Sequence, residues 1–224
     1  MEIILAAALL PAIILMVYVY KHDKIEKEPF VLLLTLFAFG ALSCVPAGIL
    51  EDLFSEVLDS MNIQDNQTYY IIMCFGIVAC SEEGAKLFFL KSKTWRCPDF
   101  NYTFDGLLYS VCVGLGFAGL ENIMYVMDYG FGVVISRGLL SVPGHCTFAI
   151  FMGLFYSRAK FHSTYGINKL LSFVVPVLLH GYYDYCLMMP SDTLIYCFFV
   201  FVVIVDIISF IVVKKQSRKD AYIA

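Results

Sequence analysis

Two adjacent carboxylates and a lysine stand in an otherwise apolar stretch, Ser81-Glu82-Glu83-Gly84-Ala85-Lys86. On a helix, Lys86 lies one turn from both acids, at i+4 from Glu82 and i+3 from Glu83. Two neighbouring carboxylates in a medium of low dielectric constant cannot both ionise cheaply, so one can pair with Lys86 while the other acts as a general base. We predict that Glu82 takes a proton from water and that Glu83 with Lys86 fixes its geometry. A structural ion pair between helices is the alternative.

Two histidines and further polar residues occur in later apolar stretches. His180 and Asp184 share a helix face at i,i+4, so Asp184 could orient the imidazole or bind a metal beside it. His145 lies in the preceding stretch, and Glu121 with Asn122 in the one before that. Hydrolytic chemistry needs an activated water and a stabilised oxyanion. We predict that His145, His180 and Asn122 hold the water or the oxyanion, with Glu121 in support.

The use of a metal stays open at this point. His145 and His180, with Glu121 or Asp184, offer three or four ligands of the kind that Zn²⁺ binds, which would leave a position for water. The chain lacks the H-E-x-x-H signature of many zinc proteases. The cofactor is therefore unknown, and zinc-dependent and glutamate-dependent hydrolysis remain alternatives.

Composition identifies the chain as a membrane protein. Its 224 residues are 60% hydrophobic and 15% charged, against roughly 45–50% and roughly 25% in soluble domains. Seven stretches approach the roughly 20 apolar residues that a bilayer needs, at about 2–20, 30–50, 69–90, 104–127, 130–157, 168–189 and 192–213. No basic region suggests binding of nucleic acid. We predict an all-α, polytopic helix bundle forming a single transmembrane domain over residues 1–224, with membrane lipid around it and a catalytic core at about 69–190.

Basic residues predict the orientation of these spans. Every Lys and Arg except Lys86 and Arg137 falls in alternate connections, just beyond one of them (Lys169) or in the tail. The positive-inside rule then places the N-terminus outside and the C-terminus in the cytoplasm. The outer connection 51–68 is acidic, and its apolar residues recur at helical spacing, which predicts a short amphipathic helix on the outer surface.

Two charged residues within spans have no motif around them. Arg137 is predicted to pair with an acid such as Asp128 or Asp184, or to bind a lipid head group. Asp206 is interpreted as a hydrogen-bond partner in helix packing. The glycines of Gly114-Leu-Gly116-Phe117-Ala118-Gly119 match a dinucleotide fingerprint only by chance, because no strand precedes them. Small residues at this spacing predict close helix contact instead.

Four motifs in order resemble those of the PrsW family of intramembrane proteases. They are Glu-Glu-x-x-Lys (82–86), Phe-x-x-x-Glu (117–121), a histidine on the next span (His145) and His-x-x-x-Asp (180–184). The related CAAX-type prenyl endopeptidases and bacteriocin-processing immunity proteins carry Glu-Glu-x-x-x-Arg and Phe-x-x-x-His instead. The resemblance covers roughly residues 80–185, and by position it implies a site of Glu82, Glu83, Glu121, His145, His180 and Asp184.

This resemblance implies a protease of the bacterial plasma membrane. Such an enzyme makes the first, extracytoplasmic cut in a single-span, membrane-anchored anti-sigma factor and so starts activation of a stress sigma factor. A protease that processes CAAX-type or leader peptides is one alternative. A proton-coupled transporter is another, because intramembrane acids and histidines also form proton relays. A non-catalytic receptor would leave the clustered acids unexplained.

Overall fold

The computed structural model describes residues 2–162 and 164–223, and these residues form a helical bundle. Their α-helices are α1 (Glu2–His22), α2 (Phe30–Ser60), α3 (Asn66–Ile71), α4 (Ala79–Thr94), α5 (Asp105–Tyr129), α6 (Val133–Ser136), α7 (Val142–Phe161), α8 (Tyr165–Met188) and α9 (Asp192–Arg218). Two π-helical turns, Ile72–Val78 and Arg137–Ser141, join α3 to α4 and α6 to α7 without a break. The described chain therefore forms seven long helical rods, and the all-α prediction is confirmed.

Six of these rods, within the described residues, are long and apolar enough to cross a membrane. The remaining rod runs from α3 to α4. It is interrupted by its π-helical turn and carries the polar triad Glu82, Glu83 and Lys86. Large apolar side chains on the outer helices are exposed, among them Ile204, Ile207 and Ile211 of α9. Exposure of this kind suits contact with lipid, so the protein is a multi-pass membrane protein, as its composition predicts.

The acidic connection after the second span differs from the prediction. Residues 51–60 continue α2, which is 31 residues long, and do not form a separate surface helix. Nothing in the sequence breaks the helix before Asn62, whose positive φ of 49° ends it. At about 1.5 Å per residue, a helix of this length exceeds the roughly 30 Å hydrocarbon layer. The last turns of α2 therefore extend beyond the membrane core.

Helix α5 lies at the centre of the bundle. Nearly every residue from Asp105 to Gly119 is buried, and α5 packs against α1, α2, α4 and α7. Helix α8 packs against both α4 and α7. The helices that carry the candidate catalytic residues are therefore joined by direct contacts.

Glycines allow α2 and α5 to approach closely, as the small residues of α5 predict. A Cβ added at Gly116 would lie 1.9 Å from the backbone oxygen of Phe37. A Cβ at Gly40 would lie 1.9 Å from the backbone oxygen of Val113. Backbone atoms cannot rotate away as side chains do, so no residue larger than glycine fits this crossing.

We expect Gly116→Ala to destabilise the protein, because the added methyl group must force α2 away from α5. Overpacking of this kind costs roughly 1–3 kcal/mol. The measurement is the thermal unfolding of the purified protein in detergent. Gly76→Ala is the control, because a Cβ there meets only the Ile72 side chain at 3.9 Å. Equal unfolding temperatures for the two variants would contradict this account of the crossing.

Candidate active site

A cavity of about 640 Å³ lies between α2, α4, α5, α7 and α8. Of the residues predicted from sequence, Glu82, Glu121, His145, His180 and Asp184 all line it. It extends from this polar layer toward the end of the bundle where α2, α5 and α8 finish, and Glu51, Tyr125 and Leu187 line that part. The structure thus brings together side chains from four helices that are distant in sequence.

The ammonium group of Lys86 lies at the centre of this cluster. Its Nζ donates to Glu83 Oε1 at 2.7 Å and to Glu82 Oε2 at 3.0 Å. It also lies 3.2 Å from His145 Nδ1 and 3.9 Å from the ring centre of Phe117. The lysine is almost fully buried, so these two carboxylates and the aromatic face replace its hydration shell.

The two adjacent glutamates have different surroundings. Glu82 lines the cavity. Glu83 has no exposed surface, and its Oε1 accepts from both Lys86 and His180. Consecutive helix residues point about 100° apart, which explains how neighbours come to face different surroundings. Glu82 is therefore placed to act on a molecule in the cavity, whereas Glu83 is placed to hold the groups around it.

Each imidazole has a polar group close to both of its nitrogens. His145 Nδ1 faces Lys86, and its Nε2 lies 2.9 Å from Glu121 Oε2. His180 Nδ1 lies 2.9 Å from Glu83 Oε1, and its Nε2 lies 3.3 Å from Asp184 Oδ2. The two rings are perpendicular, with centres 5.1 Å apart. Such bonds fix the orientation and tautomer of a histidine.

Phe148 and Phe117 complete the walls around the imidazoles. Phe148 stacks on the His180 ring at 4.9 Å, and Phe117 lies 5.5 Å from the His145 ring. The phenylalanine of the Phe-x-x-x-Glu motif thus contacts both Lys86 and His145. The Phe-x-x-x-Glu motif marks Phe117 in the sequence, but its spacing alone could not predict that the ring contacts the ammonium group of Lys86.

Arg137 pairs with a different acid from those predicted. Its Nη2 lies 2.8 Å from Glu121 Oε2 and donates to Ser141 Oγ at 2.9 Å, while its guanidinium covers the ring of Tyr125. The expected pairing with Asp128 or Asp184 is wrong. Arg137 begins the π-helical turn Arg137–Ser141, and the extra residue in such a turn changes which side chains face inward.

Asn122 is not brought to the cavity, contrary to the prediction. It is fully buried, and its amide donates to the backbone oxygen of Ala8 in α1 at 2.7 Å. Its neighbour Glu121 takes the inward position instead.

Asp206 accepts a hydrogen bond from Thr147 at 2.7 Å, which confirms its interpretation as a packing residue between α9 and α7.

The donor set fits a metal ion, although with different members from those predicted. Atoms of Glu82, Glu83, His145 and His180 all lie within 4.8 Å of one another. Glu83 Oε2 is buried without a hydrogen-bond partner among the described residues. Glu121 and Asp184 lie behind the imidazoles, as carboxylates do that orient metal-binding histidines. Lys86 contacts three of these four donors, so its ammonium and a metal ion would compete for them.

Glu51 also lines the cavity, although the sequence placed it in an outer loop. It is partly buried, whereas Asp52, Glu56 and Asp59, the acids that follow it in α2, are exposed. The spacing of Cys44, Ala47, Gly48 and Glu51 along one helix face was a signal that could have shown this.

Comparison with known proteins shows a family to which the sequence is similar. A family described as PrsW family intramembrane metalloprotease matches residues 28–209. The chain is 32% identical over 213 residues to Protease PrsW of Shouchella clausii, covering 95% of this chain and 96% of that protein. It is 34% identical to Protease PrsW of Oceanobacillus iheyensis, covering 82% of each chain. The counterpart in Bacillus subtilis is 32% identical, with 86% of each chain covered.

No solved structure matches the chain significantly. The family match extends over most of the sequence and includes all five helices around the cavity. The relatives are matched over at least four fifths of their own length. The chain therefore belongs to the PrsW family of intramembrane metalloproteases.

Proposed function

We propose that this membrane-embedded peptidase cuts a single-span membrane protein resembling an anti-sigma factor, at a bond that enters the cavity from the end where α2, α5 and α8 finish. The observation that carries the proposal is the position of Glu82, which lines the cavity together with two oriented imidazoles. On the positive-inside rule this end of the bundle faces away from the cytoplasm. An extracytoplasmic cut fits a substrate that relays an external signal.

In this mechanism Glu82 accepts a proton from a water molecule as the water oxygen attacks the scissile carbonyl carbon. The proton then passes from Glu82 to the leaving amine nitrogen. His145 and His180 line the same cavity. An imidazole Nε2–H that turns from its carboxylate partner, Glu121 or Asp184, to the substrate oxygen stabilises the oxyanion. Lys86 and Glu83 keep the Glu82 carboxylate and the His180 ring in place.

A metal would be held by Glu82, Glu83, His145 and His180. When bound, a Zn²⁺ ion supplies Lewis-acid activation of water. The roles of Glu121 and Asp184 in orienting the imidazoles are the same with or without it, because they contact the nitrogens that face away from the cluster.

The cleavage assay uses purified protein in lipid nanodiscs and a tagged single-span substrate, with products identified by mass spectrometry. We expect one cut near the outer boundary of the substrate helix. A CAAX-type or leader-peptide substrate cut in preference to it would contradict the proposal, and so would proton flux without cleavage.

We further expect Gly48→Phe to lower cleavage at least roughly ten-fold by filling the cavity, since a large side chain there occupies the volume a ligand needs. Gly48 lines the cavity, and an added Cβ would meet no atom within 4 Å, so the substitution leaves room for the fold.

Gly132→Phe is the matched control, because Gly132 also has nothing within 4 Å and does not line the cavity. Equal activity of the two variants would show that peptide bonds are not cleaved in this cavity.

A further inference from the structure

Glu51 brings into the cavity a carboxyl group that the mechanism above does not use. Four carboxylates and one guanidinium line the cavity within the described residues: Glu51, Glu82, Glu121, Asp184 and Arg137. Together with His145 and His180, which also line it, the cavity has more acidic groups than basic ones. Such a cavity favours cationic groups of a ligand and disfavours anionic ones.

Every other acid of this lining faces a basic group. Glu82 pairs with Lys86 at 3.0 Å, Glu121 pairs with Arg137 at 2.8 Å, and Asp184 lies 3.3 Å from His180. Lys86 and Arg137 are thus already occupied. Among the described residues, Glu51 alone of the four has no basic partner of this kind.

Glu51 faces the cavity, unlike the other acidic residues near the end of α2. The acids that follow it on the same helix are exposed, and Glu51 is turned inward. One turn before it, Ala47 and Gly48 also line the cavity and leave space along this face of α2. A substrate segment lying along that face would pass Glu51 on its way to Glu82.

Distance along the helix sets which part of the substrate meets Glu51. Ala47 packs with Phe117 beside the catalytic layer, and Glu51 lies four residues further, or about 6 Å along the axis. An extended chain advances about 3.3 Å per residue. The substrate residue opposite Glu51 is therefore about two positions from the cleaved bond.

We propose that Glu51 forms a subsite for a basic side chain of the substrate, lysine or arginine, placed about two residues from the cleaved bond. This inference rests on the proposed function and adds a rule of substrate choice to it. The long aliphatic part of such a side chain suits the apolar walls around Glu51, and its cation supplies the partner that the carboxylate lacks.

The test places one lysine at each of the three positions on either side of the mapped cut, in an otherwise neutral single-span substrate, and compares each with glutamine. We expect one position where wild-type enzyme prefers lysine by roughly ten-fold in kcat/KM, mainly through KM. Glu51→Gln should remove that preference. Glu51→Lys should reverse it, so that a glutamate at the same position becomes the better substrate.

Asp52→Asn is the matched control, because it removes the same charge one residue away at an exposed position outside the cavity. The lysine preference should persist in that variant. Cleavage by wild-type enzyme without any lysine preference would overturn the subsite alone, and so would a preference that survives in Glu51→Gln. No cleavage of any substrate would overturn the proposed function and the subsite with it.

Discussion

Glu82→Gln should lower kcat/KM for a single-span substrate by roughly a thousand-fold, within the range that a general base contributes. Glutamine keeps the shape of the side chain and can still accept a hydrogen bond from Lys86, but it cannot take a proton from water. Glu82 lines the cavity and glutamine keeps its size, so most of the loss in rate comes from the missing base. The measurement is initial cleavage rate in nanodiscs, with thermal unfolding of the same preparation.

Glu83→Gln separates the catalytic role from the structural one. Glu83 is fully buried and holds both Lys86 and His180. Removing one partner of a buried ion pair typically costs about 3–5 kcal/mol. Glu82 shares this ion pair with Lys86, but Glu83 also holds His180, so we expect Glu83→Gln to lower the unfolding temperature more than Glu82→Gln does. Cleavage by Glu82→Gln within ten-fold of wild type would rule out Glu82 as the base.

The helical parts of the site could be predicted from sequence because their geometry is local. The contacts of Lys86 with Glu82 and Glu83 follow from i+4 and i+3 spacing, and so does the proximity of His180 and Asp184. The rods themselves follow from the length of the apolar runs. These relations depend only on residues close together in sequence, so the packing of the rest of the chain does not change them.

The parts that sequence could not predict depend on how helices rotate against one another. Glu121 and Asn122 are adjacent, and only the packing of α5 decides which of them enters the cavity. Arg137 meets Glu121 after a π-helical turn that helical spacing does not reveal. Glu51 was assigned to a loop because its acidic neighbours resemble a surface segment, although α2 continues through them.

Lys86→Met should lower cleavage at least roughly a hundred-fold and at the same time increase the affinity for Zn²⁺. Methionine has a similar length and no charge. Without the ammonium, the Glu82 carboxylate loses the cation that fixes it at 3.0 Å, which impairs catalysis. The loss also frees donors on Glu82, Glu83 and His145 and removes a positive charge that would repel a divalent ion.

The number of zinc ions retained per protein after dialysis measures the expected rise in zinc affinity. Thermal unfolding with added zinc measures it independently, because a ligand that binds only the folded state stabilises that state. We expect zinc to raise the unfolding temperature of Lys86→Met more than that of wild type. Lys91→Met is the control, because Lys91 is an exposed lysine on the same helix and outside the cluster.

A Lys86→Met/His145→Ala double variant should lose the added zinc, because it lacks one of the four donors. Lower zinc retention by Lys86→Met than by wild type would also identify the role of Lys86. If wild type retains one zinc ion through dialysis and Lys86→Met retains less, the ammonium does not compete with the metal. Lys86 would then support the metal from outside its ligand shell, and Glu82 and Glu83 would have to turn from the ammonium toward the ion. Metal content alone decides between these two arrangements, whether or not the variant cleaves substrate.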